Sequence, residues 1–348
     1  MDWFGLINSA KNIYNHLQDE ESKHIFENRM LYTFTGDYGY IWNMVAGLPI
    51  RRELDHAVAF CKEHVEEVVV YGAGNDFSML SVLYPDFKIR RLCDGDTEKQ
   101  QKGWHGIPVM PPEELIRIKD NVYVAVNTYM YHKEIIQFLL KNGFQKEKII
   151  DLQEMVVPYC SRQYFDTEII KPGPEEIFVD GGCFDCLTDK AFVKWCSGNY
   201  KKIYAFEPDL ENYQRCQKES EKEIIENMIL YHKGLWNCET KLSFQEAGSS
   251  TSKIGEGTTT ISTVALDDIV GDDKVTFIKL DIEGAELEAL QGAKRTIQTN
   301  RPRMAICIYH KSEDIVTIPE YILSLRNDYK LYIRHYTLND SETVIYAV

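Results

Sequence analysis

Ile177, Phe178 and Val179 form an unbroken apolar run that stops at Asp180, Gly181 and Gly182. A short continuous run closed by glycines predicts a strand buried on both faces, as parallel strands are. Ile203 to Phe206 repeats the pattern and ends on Glu207, and Pro208 cannot extend a ladder. Met228 to Tyr231, Val275 to Leu280 and Arg303 to Tyr309 are further runs, the last two ending on Asp281 and His310. Between them the polar and apolar positions change to helical spacing: Thr188 to Trp195 with Phe192 and Trp195 inward, Asp209 to Lys222, and a segment after Gly284 with Leu287 and Leu290 inward. Tyr329 to Arg334 and Thr343 to Ala347 predict a closing antiparallel hairpin. Leu242 to Phe244 and Thr258 to Val264 read as added strands, with a mobile glycine- and serine-rich loop, Ala247 to Gly257, between them.

The first half alternates in the same way. Val68 to Tyr71 runs into Gly72-Ala73-Gly74-Asn75, Lys88 to Cys93 ends on Asp94, and Asn121 to Val126 ends on Asn127. Helical stretches (Glu113 to Ile118, His132 to Leu140) intervene, and Gly143 fits a helix stop. Upstream, Ile25, Phe26, Met30 and Leu31 mark a helical segment with a packing role. Lys171-Pro172-Gly173-Pro174 is a break that neither helix nor central strand carries. The expected class is α/β, with two doubly wound Rossmann-like domains: a helical segment 1–65, a small domain 66–152, a linker 153–175 and a larger domain 176–348.

Composition narrows the partners. Of 348 residues, 54 are acidic and 39 basic, and the formal charge of −15 argues against nucleic acid or an anionic membrane. No apolar run is long enough to span a bilayer, and Met1 to Ala10 lacks the features of a secretory signal. Nine cysteines without regular spacing suggest reduced thiols and a cytoplasmic location.

Ligands of open α/β sheets sit outside the carboxyl ends of the strands. There the turn Asp180-Gly181-Gly182-Cys183 and the strand-end Glu207-Pro208 make a nucleoside site, because glycines admit the ligand and a carboxylate accepts two ribose hydroxyls. A dinucleotide needs a third glycine at the helix start, where this chain has Cys186 preceded by Asp185. An acidic side chain there disfavours a pyrophosphate but tolerates a cation, which favours S-adenosylmethionine over NAD. Asp281 and Glu283 can cap the following helix and, as hard oxygen ligands, hold a magnesium ion, roles that can coexist. Cys183 and Cys186 form C-x-x-C without the second pair that zinc requires. Tyr164 and Phe165 either close over this site or pin the linker to a core. The loop Gly72 to Asn75 with Asp94 repeats the nucleotide logic in the first domain, where a scaffold role competes.

Two resemblances sharpen this. F-V-D-G-G, Y-A-F-E-P, F-I-K-L-D-I-E-G-A-E-L-E-A-L-Q-G-A and R-P, in this order across residues 164–348, resemble the FkbM family of S-adenosylmethionine-dependent methyltransferases. The resemblance implies that Asp180, Gly182 and Glu207 hold the cofactor, that Asp281, Glu283 and Gly284 lie at its edge, and that a sugar or related hydroxyl is methylated. Cys186 departs from the glycine frequent in that family. D-G-D-T-E-K-Q-Q-K-G-W-H-G-I-P-V followed by P-P-E-E-L resembles sugar-nucleotide-binding domains, implying a nucleotide or nucleotide sugar in the first domain. At the second site His310 is the expected base, with Asp281 positioning it or the acceptor. An NAD-linked oxidoreductase and a non-catalytic nucleotide-binding scaffold are the alternatives.

Overall fold

The computed structural model describes residues 3–154, 156–223, 225–245, 253–254 and 259–348. The expected mobile loop, 247–257, lies outside the described residues except for the two-residue strand Lys253–Ile254. The chain divides into two compact units, 38–161 with 337–339, and 1–37 with 162–336 and 340–348.

The larger unit is built on a seven-stranded sheet. Glu176–Gly181 lies in its interior, flanked by Tyr200–Phe206 and then Met228–Tyr231 on one side. Phe277–Leu280, Arg303–Cys307, Thr343–Ala347 and Leu331–His335 follow on the other. All neighbours pair in parallel except Thr343–Ala347, which is antiparallel to both of its neighbours, so the expected hairpin closes the sheet. The switch point falls beside Glu176–Gly181, where strand order reverses and crossovers leave a crevice. Every residue of that strand is buried, as its unbroken apolar run requires. Below the crevice Phe178 stacks on Phe192 at 4.3 Å, and Phe165 meets Phe178, Phe192, Trp195 and Phe277 at 5.6–6.2 Å. Phe165 therefore pins its segment to the core.

The expected N-terminal helical segment is divided between the units. Trp3–His16 and Glu20–Thr35 belong to the seven-stranded unit, whereas Gly39–Ala46 and Pro49–Glu63 belong to the other. The first pair is tied to the edge strand: the Ile333 amide donates to Ser22 Oγ at 2.9 Å, and buried Arg334 pairs with Asp19 at 2.7 Å. An edge strand with open backbone groups needs such cover.

In the unit 38–161 five parallel strands run in the order Val109–Met110, Leu92–Cys93, Val68–Tyr71, Tyr123–Val126, Ile149–Asp151. The expected strand from Lys88 shortens to Leu92–Cys93, the two residues that pair with Val70 and Tyr71 on one side and Val109 and Met110 on the other. Among the described residues no helix is long and apolar enough to cross a membrane.

Candidate active site

The turn after Glu176–Gly181 is fixed by close packing. Gly182 has φ +79°, and a Cβ there would lie 2.0 Å from the Asp281 carbonyl oxygen, so only glycine fits. Phe184 and Cys186 also have positive φ, 48° and 62°. Cys186 thus holds the left-handed conformation that glycine takes most easily, the residue seen there in the resembling family. It is fully buried and forms a disulfide with Cys216, Cα–Cα 5.1 Å, which corrects the expectation of reduced thiols throughout. Cys183, Asp189 and Cys216 converge, but Cys216 is committed to the disulfide and lends no thiolate to a metal.

Asp180 and Gly181, expected to touch the cofactor, do not line the cavity. Asp180 is fully buried and accepts from Lys279 Nζ at 2.9 Å, and Gly181 packs against Leu280 and Leu235. The same ammonium donates to the carbonyls of Gly181 and Gly182 at 3.0 and 2.7 Å. Burial pulls the Lys279 pKa down, but Asp180 and Asp281 more than reverse this and keep it charged. Lys279 is a positioning residue that sequence reasoning missed; its signal was a lysine inside the buried run F-I-K-L.

Above the turn lies a cavity of about 440 Å³. Gly182, Cys183, Asp185, Glu207, Pro208, Asp281 and Glu283 line it, so most of the expected residues do converge. Leu235 and Ile261 add an apolar wall. Glu207 accepts from the amides of Phe184 and Asp209 at 3.1 and 2.9 Å, which fixes both oxygens and leaves lone pairs for a ligand. Burial is the main cause that raises its pKa to about 7. Asp185 accepts from the Leu187 amide at 3.1 Å at the helix start.

The far end of the cavity is acidic. Asp281 accepts from the hydroxyls of Tyr164 and Tyr309 at 2.6 and 3.3 Å, and Tyr309 also donates to Glu342 at 3.2 Å. Burial opposes ionisation of Asp281, but Lys279, His310 and the Tyr164 hydrogen bond hold its pKa below the usual range. Tyr164 therefore reaches the site, as one of its two expected roles required. Glu342 comes from the loop before the last strand and had no local signal in the sequence. Glu283 carries φ +55°, and burial together with Asp281, Glu286 and Glu342 raises its pKa to about 7.

His310, the expected base, does not line the cavity. Its Nδ1 lies 3.0 Å from Glu286, and its Nε2 lies 3.5 and 3.7 Å from Asp281 and Glu283. Burial lowers its pKa, but these three carboxylates outweigh it and raise the value to about 9. An imidazole that already carries its proton has no free lone pair to take another, which, with its place off the cavity wall, speaks against the expected role as base. The helix Glu286–Gln291 has Ala285 at its N-cap with no side-chain cap bond, so the cap role expected of Asp281 and Glu283 is not seen; Glu286 instead holds the preceding turn by accepting from the Ile282 amide at 2.8 Å. A cation site formed by Asp281 and Glu283 would share its space with the imidazolium, which already supplies positive charge there.

Residues 186–331 match the family described as methyltransferase FkbM domain. The hexuronic acid methyltransferase AglP of Haloferax volcanii is 28% identical over 150 residues, which cover 41% of this chain and 60% of AglP. The chain thus spans less than two thirds of that relative. The crystal structure of methyltransferase FkbM from Methylobacillus flagellatus KT superimposes with a TM-score of 0.51 at 18% identity, covering 86% of this chain and 99% of the other. That superposition concerns the fold alone.

Proposed function

From a chain whose residues 186–331 carry a methyltransferase FkbM domain, we propose a methyl transfer from S-adenosylmethionine to a hydroxyl oxygen of a sugar. The observation that carries the reading is Glu207: a buried carboxylate, held by two backbone amides at the end of the strand beside the glycine turn, facing a cavity of about 440 Å³. Two ribose hydroxyls match its remaining lone pairs. The apolar wall of Leu235 and Ile261 suits a purine, and the acidic surroundings suit a ligand that is cationic and carries no phosphate. The cofactor supplies an electrophilic methyl carbon on a sulfonium.

The residues of this chain then have three tasks. Gly182, clamped through Lys279 to Asp180, keeps the turn open toward the cavity. Tyr164, Tyr309 and Asp281 form a hydrogen-bonded wall that orients an acceptor hydroxyl, and orientation is the main source of rate in such a displacement. Glu283 takes the hydroxyl proton; a carboxylate with pKa about 7 is matched to that task, and protonated His310 beside it stabilises the ionised form. Asp281, Glu283 and Glu342 repel an anionic acceptor, which supports a neutral hydroxyl-bearing sugar face. The sugar class rests on AglP, whose name gives hexuronic acid, itself an anion; the acidic wall here favours a neutral sugar over that substrate. Magnesium is the second reading at Asp281 and Glu283, and transfer that persists in EDTA removes it.

The test is a thermal-shift comparison of S-adenosylhomocysteine with NADH, followed by transfer from labelled cofactor to neutral sugars and uronic acids. Stabilisation by S-adenosylhomocysteine alone is expected. Stabilisation by NADH would restore the oxidoreductase alternative, and by neither, the scaffold.

A further inference from the structure

The unit 38–161 has a cleft of its own, about 490 Å³, at the carboxyl ends of Val68–Tyr71 and Tyr123–Val126. Gly72 has φ +113°, and a Cβ there would lie 2.6 Å from the Asn127 carbonyl oxygen, so the turn is pressed against the neighbouring strand end. Asn127 is only 4% exposed, and its Oδ1 accepts from Gln153 at 3.2 Å. Asn127 lines the cleft, and its buried Nδ2 has no partner among the described residues. Native interiors rarely leave such a donor unpaired, so this amide has capacity for one more acceptor at the cleft.

The polar groups around it are already oriented. Asp94 accepts from the amides of Ala73 and Asp96 at 2.8 and 2.9 Å and from Lys99 at 3.2 Å, and Asp76 accepts from the Tyr129 amide at 2.9 Å. Each carboxylate retains lone-pair capacity. Tyr131 stands 63% exposed at the rim, and Tyr71 and Phe138 lie in the wall. Charge then selects the ligand. Asp76, Asp94 and Glu134 face the cleft against one cation, Lys99, already paired. The positive end of helix Asn75–Leu83 is answered by Asp76 in its first turn. A pyrophosphate would meet net negative charge here. We propose that this cleft binds the neutral, hydroxyl-rich ring of a sugar. Asn127 donates to a ring or hydroxyl oxygen, Asp76 and Asp94 accept hydroxyls, and Tyr131 covers the apolar ring face. The expected nucleotide or nucleotide sugar keeps its ring and loses its phosphates. A hexose and the ribose of a nucleoside offer the same chemistry.

The test uses the full chain, with saturating S-adenosylhomocysteine added so that the other cavity does not compete, and saturation-transfer NMR as readout. The probes are methyl hexosides, adenosine and uridine, and, as charged arms, UDP and UDP-glucose. Either neutral class should bind, and which one does identifies the source. Tyr131→Ala and Asn127→Leu should each weaken it roughly five- to tenfold. Tyr131 is exposed, so its variant remains informative even if Asn127→Leu fails to fold. Tighter binding of UDP or UDP-glucose, no binding of any neutral ring, or unchanged binding in Tyr131→Ala overturns the proposal. None of these readouts depends on methyl transfer.

Discussion

At the scale of single residues, the proposed function divides the site into a carboxylate that holds and one that reacts. Glu207 is held by two amides and raised to about pKa 7. Because its ionised form accepts two hydroxyls, S-adenosylhomocysteine affinity should rise as pH increases from 6 to 8, and Glu207→Gln should flatten that rise in calorimetry. Glu207→Ala should lose on the order of 2–4 kcal/mol of binding, since two charge-assisted hydrogen bonds disappear. Glu283 should set the rate instead. Transfer should increase with pH through about 7 as the carboxyl loses its proton. Glu283→Gln should lower single-turnover transfer about 10²–10⁴-fold, the usual share of general-base catalysis, while cofactor affinity stays near wild type. In His310→Asn, Glu283 loses its cationic neighbour, so the midpoint of the pH profile should move upward while transfer persists. A His310→Asn variant that is inactive at every pH would return the base role to the histidine.

Elements decide whether these groups meet. The glycine turn works because the strand Phe277–Leu280 lies against it with no room for a side chain. Gly182→Ala would place a methyl on a backbone oxygen at positive φ, and the expected cost is roughly 3 kcal/mol or more, read as lost thermal stability or insoluble expression. The edge strand Leu331–His335 depends in the same way on the helix Glu20–Thr35. Arg334→Ala leaves Asp19 and Glu21 without their cation. Urea denaturation should show a loss of about 2–3 kcal/mol, below a fully buried pair because Asp19 keeps part of its water.

For the whole molecule, the relevant fact is that the seven-stranded unit is discontinuous in sequence: residues 1–37 complete it from far upstream of 162–336 and 340–348. A fragment 155–348 lacks both helices that cover the edge strand, so it should be insoluble or bind S-adenosylhomocysteine poorly even though every residue proposed to hold the cofactor is present. Recovery of binding in that fragment would show the helices to be dispensable.

What the sequence determined by itself was local. An apolar run that ends in glycine or a carboxylate places a strand and its turn within a few residues, because side-chain alternation and backbone freedom are properties of neighbours along the chain. Hence the strands, the turn Gly181-Gly182, and Glu207 at a strand end were legible before any coordinates. Protonation and reach were not. Whether Asp180 faces the ligand or Lys279, and whether His310 is free or held by Glu286, depends on which side chains of other strands lie within about 4 Å, since Coulomb and desolvation effects act at that range. Lys279 and Asp180 are 99 positions apart, and Asn127 reaches Gln153 across 26. Only the tertiary structure brings such pairs together, and through them it decided which carboxylates stay available for chemistry.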